Sequence, residues 1–213
     1  MKKKTLALLM AVIMAFGAVG ATIAWLQSTS ATVTNTFTFG DVTITLDEAD
    51  VNDMDNDKDT SERVQTNEYK LIPGATATKD PTVWVDEDSE DCYVFVKVTA
   101  TKNTTAGGKE IVTYDIGSAW KLVTGTTDVY VYGTNEAPVV VKANAKLDNI
   151  LKGNSITINS ALTKEEIAAL DADKDGTVED TEKPTLSFIA YAIQAENLGT
   201  NVDTAAEIWD LID

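Results

Sequence analysis

Short runs of β-branched and aromatic residues recur from Thr32 to Ala195, parted by Gly, Asn, Pro and acidic turns. That spacing leaves few folds open to the chain other than a β-sandwich. In the first run Val33, Phe37 and Phe39, then Val42, Ile44 and Leu46, fall at period 2, and Gly40 and Asp41 interrupt them as a bend or bulge. Period 2 with polar residues between is the mark of a half-buried strand. Residues 82–85 follow Pro81 as a short strand, and residues 92–100 (Cys-Tyr-Val-Phe-Val-Lys-Val-Thr-Ala) are the strongest strand signal in the chain. Residues 120–123, 128–132, 138–142 and 155–158 read as further strands, and residues 185–195 as a long final one. Pro73 and Gly74 suit positions i+1 and i+2 of a type II turn.

Two short helices interrupt this pattern. Residues 163–170 open with Thr163 and Glu166 in the T-x-x-E spacing of a capping box, and Ile167 and Leu170 form the apolar side. Residues 204–212 carry Ala205, Ile208, Trp209, Leu211 and Ile212 as an apolar stripe, which should face the domain.

The start of the chain is of another kind. Lys2, Lys3 and Lys4 precede 22 uncharged residues, Thr5 to Leu26, and the run ends in small residues such as Gly17, Gly20, Ala21 and Ala24. A positive start, an apolar stretch and a small-residue site make a secretory signal peptide. Thr22-Ile23-Ala24 meets the A-x-A-like requirement, so residues 1–24 are expected to be removed after Ala24, with a second site after Ala31. The stretch is also long enough to span a bilayer as a retained anchor. Its glycines and a polar sequel without Lys or Arg favour cleavage, and so no stable membrane insertion afterwards.

Composition narrows the function. The chain has 213 residues and a formal net charge of −17. That length suits one domain with a core of its own once the leader is gone. So acidic a surface repels nucleic acid and attracts cations. Cys92 is the single cysteine, which rules out a disulfide within the chain and fits a buried strand position better than a nucleophile. An exported domain without disulfides is more typical of a Gram-positive surface than of animal secretion. There is no histidine at all, which removes Ser-His-Asp and Cys-His catalysis and H-E-x-x-H zinc chemistry.

Two acidic stretches invite a metal reading. In residues 47–59 the rhythm Asp53-Met54-Asp55-Asn56-Asp57 begins like a calcium loop, but Lys58 stands where Gly is needed and Val64 where Glu should close it. Residues 171–182 match D-x-[DN]-x-[DN]-G-x5-E throughout. Asp171, Asp173 and Asp175 would supply carboxylates, Gly176 the sharp turn, and Thr177 a backbone carbonyl. Glu179 would act directly or through water, and Glu182 would close the site with both oxygens. Lys183-Pro184 follows at once and blocks an exiting helix, so the loop is expected between a helix and a strand, bracing the domain with Ca2+ rather than sensing it.

Several of these pieces together resemble the TasA and camelysin (CalY) family of exported proteins with SipW-type signal peptides. The resemblance is carried by Gly20-Ala21-Thr22-Ile23-Ala24-Trp25, by Asn35-Thr36-Phe37-Thr38-Phe39-Gly40 leading into Val42-Thr43-Ile44-Thr45-Leu46, and by Leu71-Ile72-Pro73-Gly74 with Lys79-Asp80. The strand from Tyr93 to Val98, the run Ile189-Ala190-Tyr191-Ala192-Ile193-Gln194-Ala195, and the closing Ala205, Ala206 and Trp209 complete it. It implies a jelly-roll-like antiparallel β-sandwich, export through a dedicated signal peptidase, and assembly into biofilm matrix fibres. The mature N-terminal segment, within residues 25–40, would then act as a donor strand that completes the next subunit. That window has no charge and no proline, which suits pairing with an exposed edge. The body, residues 41–213, would be the sandwich, with the loop at 171–182 added before the last strand. Camelysin is described as a metallopeptidase. An Asp/Glu donor set without histidine favours Ca2+ over catalytic zinc, so no enzyme is expected here. The expected function is a secreted fibre subunit of a bacterial surface or biofilm matrix, a homo-oligomer joined by strand exchange. The alternative is a monomeric calcium-binding adhesin whose first strand pairs within its own sheet.

Overall fold

A computed structural model describes residues 41–51, 62–170, 182–199 and 202–212. All of them belong to one compact unit, Gly40–Asp213. The expected signal peptide (1–24) and donor segment (25–40) lie outside the described residues, as do residues 52–59 of the first acidic loop.

The described chain is built from antiparallel strands: β1 (Ile44–Ala49), β2 (Arg63–Val64), β3 (Thr76–Thr78), β4 (Thr82–Val85), β5 (Cys92–Thr101), β6 (Val112–Thr113), β7 (Trp120–Leu122), β8 (Val129–Tyr132), β9 (Lys146–Leu147), β10 (Ser155–Ile158) and β11 (Thr185–Gln194). They form three sheets, in the orders β2-β1-β4-β9, β3-β10-β6 and β11-β5-β8-β7. Two short helices, α1 (Lys164–Ala168) and α2 (Ala205–Trp209), attach to them. The all-β sandwich expected from the strand spacing is therefore the observed class.

Strand β5 is the centre because both of its faces are apolar. Cys92, Val94, Val96 and Val98 point to one side and pack with Val83, Val85, Trp120, Leu147 and Ile150, joining the β4 sheet to the β5 sheet. On the other side Phe95 packs with Val123, Val129 and Val131 and with Ala205, Ile208 and Trp209 of α2. A strand covered on both sides reads as a continuous apolar run, which is why this one stood out. Burial pushes the Cys92 thiol up to about 11, with the Asp91 carboxylate adding to the effect. At neutral pH it stays a thiol, as a core side chain should.

Local chemistry sets most boundaries. Gly74 adopts φ +80°, and the Ala75 amide donates to the Ile72 carbonyl at 2.9 Å, closing the turn expected around Pro73 and Gly74. The capping box of α1 is present in full: the Thr163 side chain accepts from the Glu166 amide, and Glu166 reaches back to the Thr163 amide. α2 has the same device in Thr204 and Glu207, a T-x-x-E signal equally visible in the sequence. Strand β1 runs on through Asp47 and Glu48 to Ala49, beyond the expected end, because both acids meet cations. The strand expected at 138–142 is not formed as a ladder. Its amides serve two strands in turn: Val139 donates to the Tyr132 carbonyl and Val141 to the Cys92 carbonyl. Among the described residues no helix is long and apolar enough to cross a membrane.

Candidate functional site

The β5 sheet ends at β11, and the pairing of this strand is one-sided. Residues Thr185 to Gln194 pair with β5 along the whole of their length, in the register Thr185↔Thr101 to Gln194↔Cys92. Among the described residues no strand pairs with the outer edge. No residue of β11 is fully buried, and Ile189 is 51% exposed. A ten-residue strand whose one edge has no partner among the described residues has the form of a template for another chain. Strand β1 is also partly open on the side away from β4, where β2 covers only Glu48 and Ala49.

Beside these edges lies a groove of about 1100 Å³. Ile44 and Leu46 of β1 and Leu186, Phe188 and Ala190 of β11 line two walls. Ile156 and Ile158 of β10, Leu71, and Ile167 and Leu170 at α1 add further apolar surface, and residues 64–69 complete the lining on a more polar side. The apolar strand residues named are alternate ones of β1, β10 and β11, and Ile167 of α1 and Leu170 just beyond it are three apart.

One polar cluster of the lining is buried. Lys79 Nζ donates to Glu48 Oε2 at 2.8 Å and Oε1 at 3.1 Å, and the side chains are only 7% and 9% exposed. The ammonium lies 5.2 Å from the ring centre of Tyr69 and 5.4 Å from that of Phe188. These contacts return part of the hydration a buried cation loses. The Tyr69 hydroxyl is buried with no hydrogen-bond partner among the described residues. Burial and the nearby Glu48 and Asp80 carboxylates hold it well above the usual phenol range.

Next to it a second cluster, which shares Asp47 with the groove lining, fixes the same strand. Arg63, the single arginine of the chain, donates from Nε to Asp47 Oδ1 at 2.8 Å and from Nη1 to Asp80 Oδ2 at 2.7 Å. Asp47 also accepts from Trp84 Nε1 at 2.9 Å, and Asp80 from the Ala49 amide at 2.7 Å. These carboxylates are taken up by donors, and the arrangement is a clamp on β1.

Of the expected calcium ligands, Asp171, Asp173, Asp175, Thr177 and Glu179 lie outside the described residues. Glu182 lies in the turn that leads to β11. The described elements on either side are those expected for the loop: α1 precedes it and β11 follows. Among the described residues no group of three or more Cys, Asp and Glu is placed to hold a metal ion. Sequence reasoning missed the Lys79–Glu48 pair. Its signal was weak, a lysine just before β4 and an acid inside β1, 31 residues apart.

No protein-family model, no curated protein and no solved structure matches the chain.

Proposed function

We propose that the chain is a secreted structural subunit of bacterial surface or biofilm-matrix fibres, in which residues 25–40 of one copy dock along the open edge of the next. The observation that carries this reading is the one-sided pairing of β11 beside a large apolar groove. An uncharged segment of strand-forming sequence precedes Asp41 in the same chain, and it has the chemistry such an edge accepts. One surface giving and a different surface receiving is a head-to-tail contact, which builds an open filament. The resemblance of the leader and first strand to the TasA and camelysin family points the same way. So does the acidic, histidine-free composition, which suits a solvated extracellular protein better than a catalyst.

The test is negative-stain electron microscopy of protein beginning at Trp25, beside a variant lacking residues 25–39. Filaments are expected from the first. The second should stay monomeric with an unchanged melting transition. Unfolding of the deletion variant would instead favour an internal first strand and a monomeric adhesin.

We further propose that residues 171–182 hold Ca2+. The donor set is all oxygen and mostly carboxylate, which suits a hard cation. Bound there, the ion would tie the end of α1 to the start of β11. Calcium is expected to raise the melting temperature, and Asp175→Ala to abolish that rise. A variant that keeps the full calcium response would remove the site assignment.

A further inference from the structure

The sequence 32–39 has a regularity that matters once the groove is seen. Thr32, Thr34, Thr36 and Thr38 occupy every even position, and Val33, Asn35, Phe37 and Phe39 every odd one. As a strand, this segment has one face of threonines and one apolar face. The apolar face is broken once, by the carboxamide of Asn35.

The groove has the complementary composition. Its walls are largely aliphatic and aromatic; other polar lining residues such as Gln65, Thr66 and Ser187 are exposed, whereas the Glu48–Lys79 pair and the Tyr69 hydroxyl are buried. Glu48 and Lys79 are 7% and 6% exposed, so both charges are more than nine-tenths buried. Each Glu48 oxygen accepts one bond from Lys79 and keeps a free lone pair, and the Tyr69 hydroxyl lacks a partner among the described residues. The cluster is neutral as a whole, so it calls for a neutral group that both donates and accepts. A carboxamide does both, and the segment carries no charge that would upset the pair.

We propose that Glu48 and Tyr69 form a register site for the docking strand, receiving the Asn35 side chain of a neighbouring copy. The Asn35 amide N–H would donate to the Glu48 carboxylate, and its carbonyl oxygen would accept from the Tyr69 hydroxyl. This rests on the strand-exchange reading above. A slip by one residue would turn the threonine face into the groove. A slip by two would bring Val33 or Phe37 to the charge pair and leave the carboxamide unsatisfied against an apolar wall. One buried asparagine in an otherwise apolar seam fixes register in the same way in coiled coils.

The measurement is the critical concentration for filament assembly of protein beginning at Trp25, read by sedimentation. Asn35→Val and Tyr69→Phe should each raise it about tenfold, the usual scale for losing a buried hydrogen bond. The double variant should be no worse than the more severe single one, because both remove the same contact. Thr36→Val, on the opposite face, should leave it unchanged. Tyr69→Phe keeps the ring over Lys79, and an unchanged melting transition of the monomer confirms that its fold is kept. Losses that multiply in the double variant, or wild-type assembly by Asn35→Val, would overturn the register site and leave strand exchange standing. A wild type that stays monomeric at every concentration overturns both. A monomer whose melting temperature falls on Asn35→Val, without filaments, would place the strand in its own groove and overturn the proposal.

Discussion

Replacing Lys79 by methionine is expected to destabilise the domain by about 3–5 kcal/mol, the scale for removing one partner of a buried ion pair. The lysine stem is replaced by a side chain of similar length, so little packing is lost. The loss comes from Glu48, which is left buried in the groove without the 2.8 Å ammonium contact. Lys152 and Asp115 supply the contrast. Their side chains are 73% and 76% exposed and 3.7 Å apart, and Lys152→Met should change stability by less than about 1 kcal/mol. The double variant Glu48→Leu/Lys79→Met should recover most of the loss, because two apolar groups in that space leave no charge behind. Urea denaturation of the monomeric protein measures all three. A Lys79→Met variant within about 1 kcal/mol of wild type would mean that water reaches Glu48 freely and that the pair is not a buried one.

That pair also marks where the sequence stops being readable. Strand β5 was evident because one face is apolar from Cys92 to Val98 and Tyr93 and Phe95 add apolar residues on the other, and the observed strand, Cys92–Thr101, passes the expected end by one. Strands β4 and β10 were placed correctly because Pro81 and Ser155 mark their starts beside β-branched residues. Strands β2, β6 and β9 have two residues each, too few to show a period, and exist only because longer strands lie beside them. The partner of Lys79 could not be chosen from sequence, since 34 acidic residues compete and only the fold brings Glu48 to it. The groove was hidden for the same reason: β1, β10, α1 and β11 are widely separated in sequence, and their inward residues each look like ordinary core. The carboxylates expected to hold calcium follow a local spacing rule, so they could be named from sequence with no knowledge of the fold around them.

Trp209→Ala should cost a similar amount, about 3–5 kcal/mol, by a different route. Helix α2 has five residues, far below the length at which a helix holds by its own propensity. Its capping box satisfies the first amides, and the Ala205 amide donates to the Asn135 carbonyl at 2.8 Å, but these only set its direction. What holds it is Trp209 in the outer core, 7% exposed, with ring centres 5.5 Å from Phe95 and 5.1 Å from Tyr191. Truncation leaves a cavity against β5 and β11, and with β5 central to both cores the surrounding strands cannot collapse far to fill it. Leu211, two residues on, belongs to the same apolar stripe in sequence but is 50% exposed, so Leu211→Ala should stay within about 0.5 kcal/mol. For a domain of this size the tryptophan variant should melt roughly 6–20 °C lower, while the leucine variant should be nearly unchanged. Equal effects would show that α2 packs through its whole stripe. As the inner face of β11 belongs to the groove, a loss confined to Trp209 would also show that the strand proposed to receive a neighbour is braced from behind by this one ring.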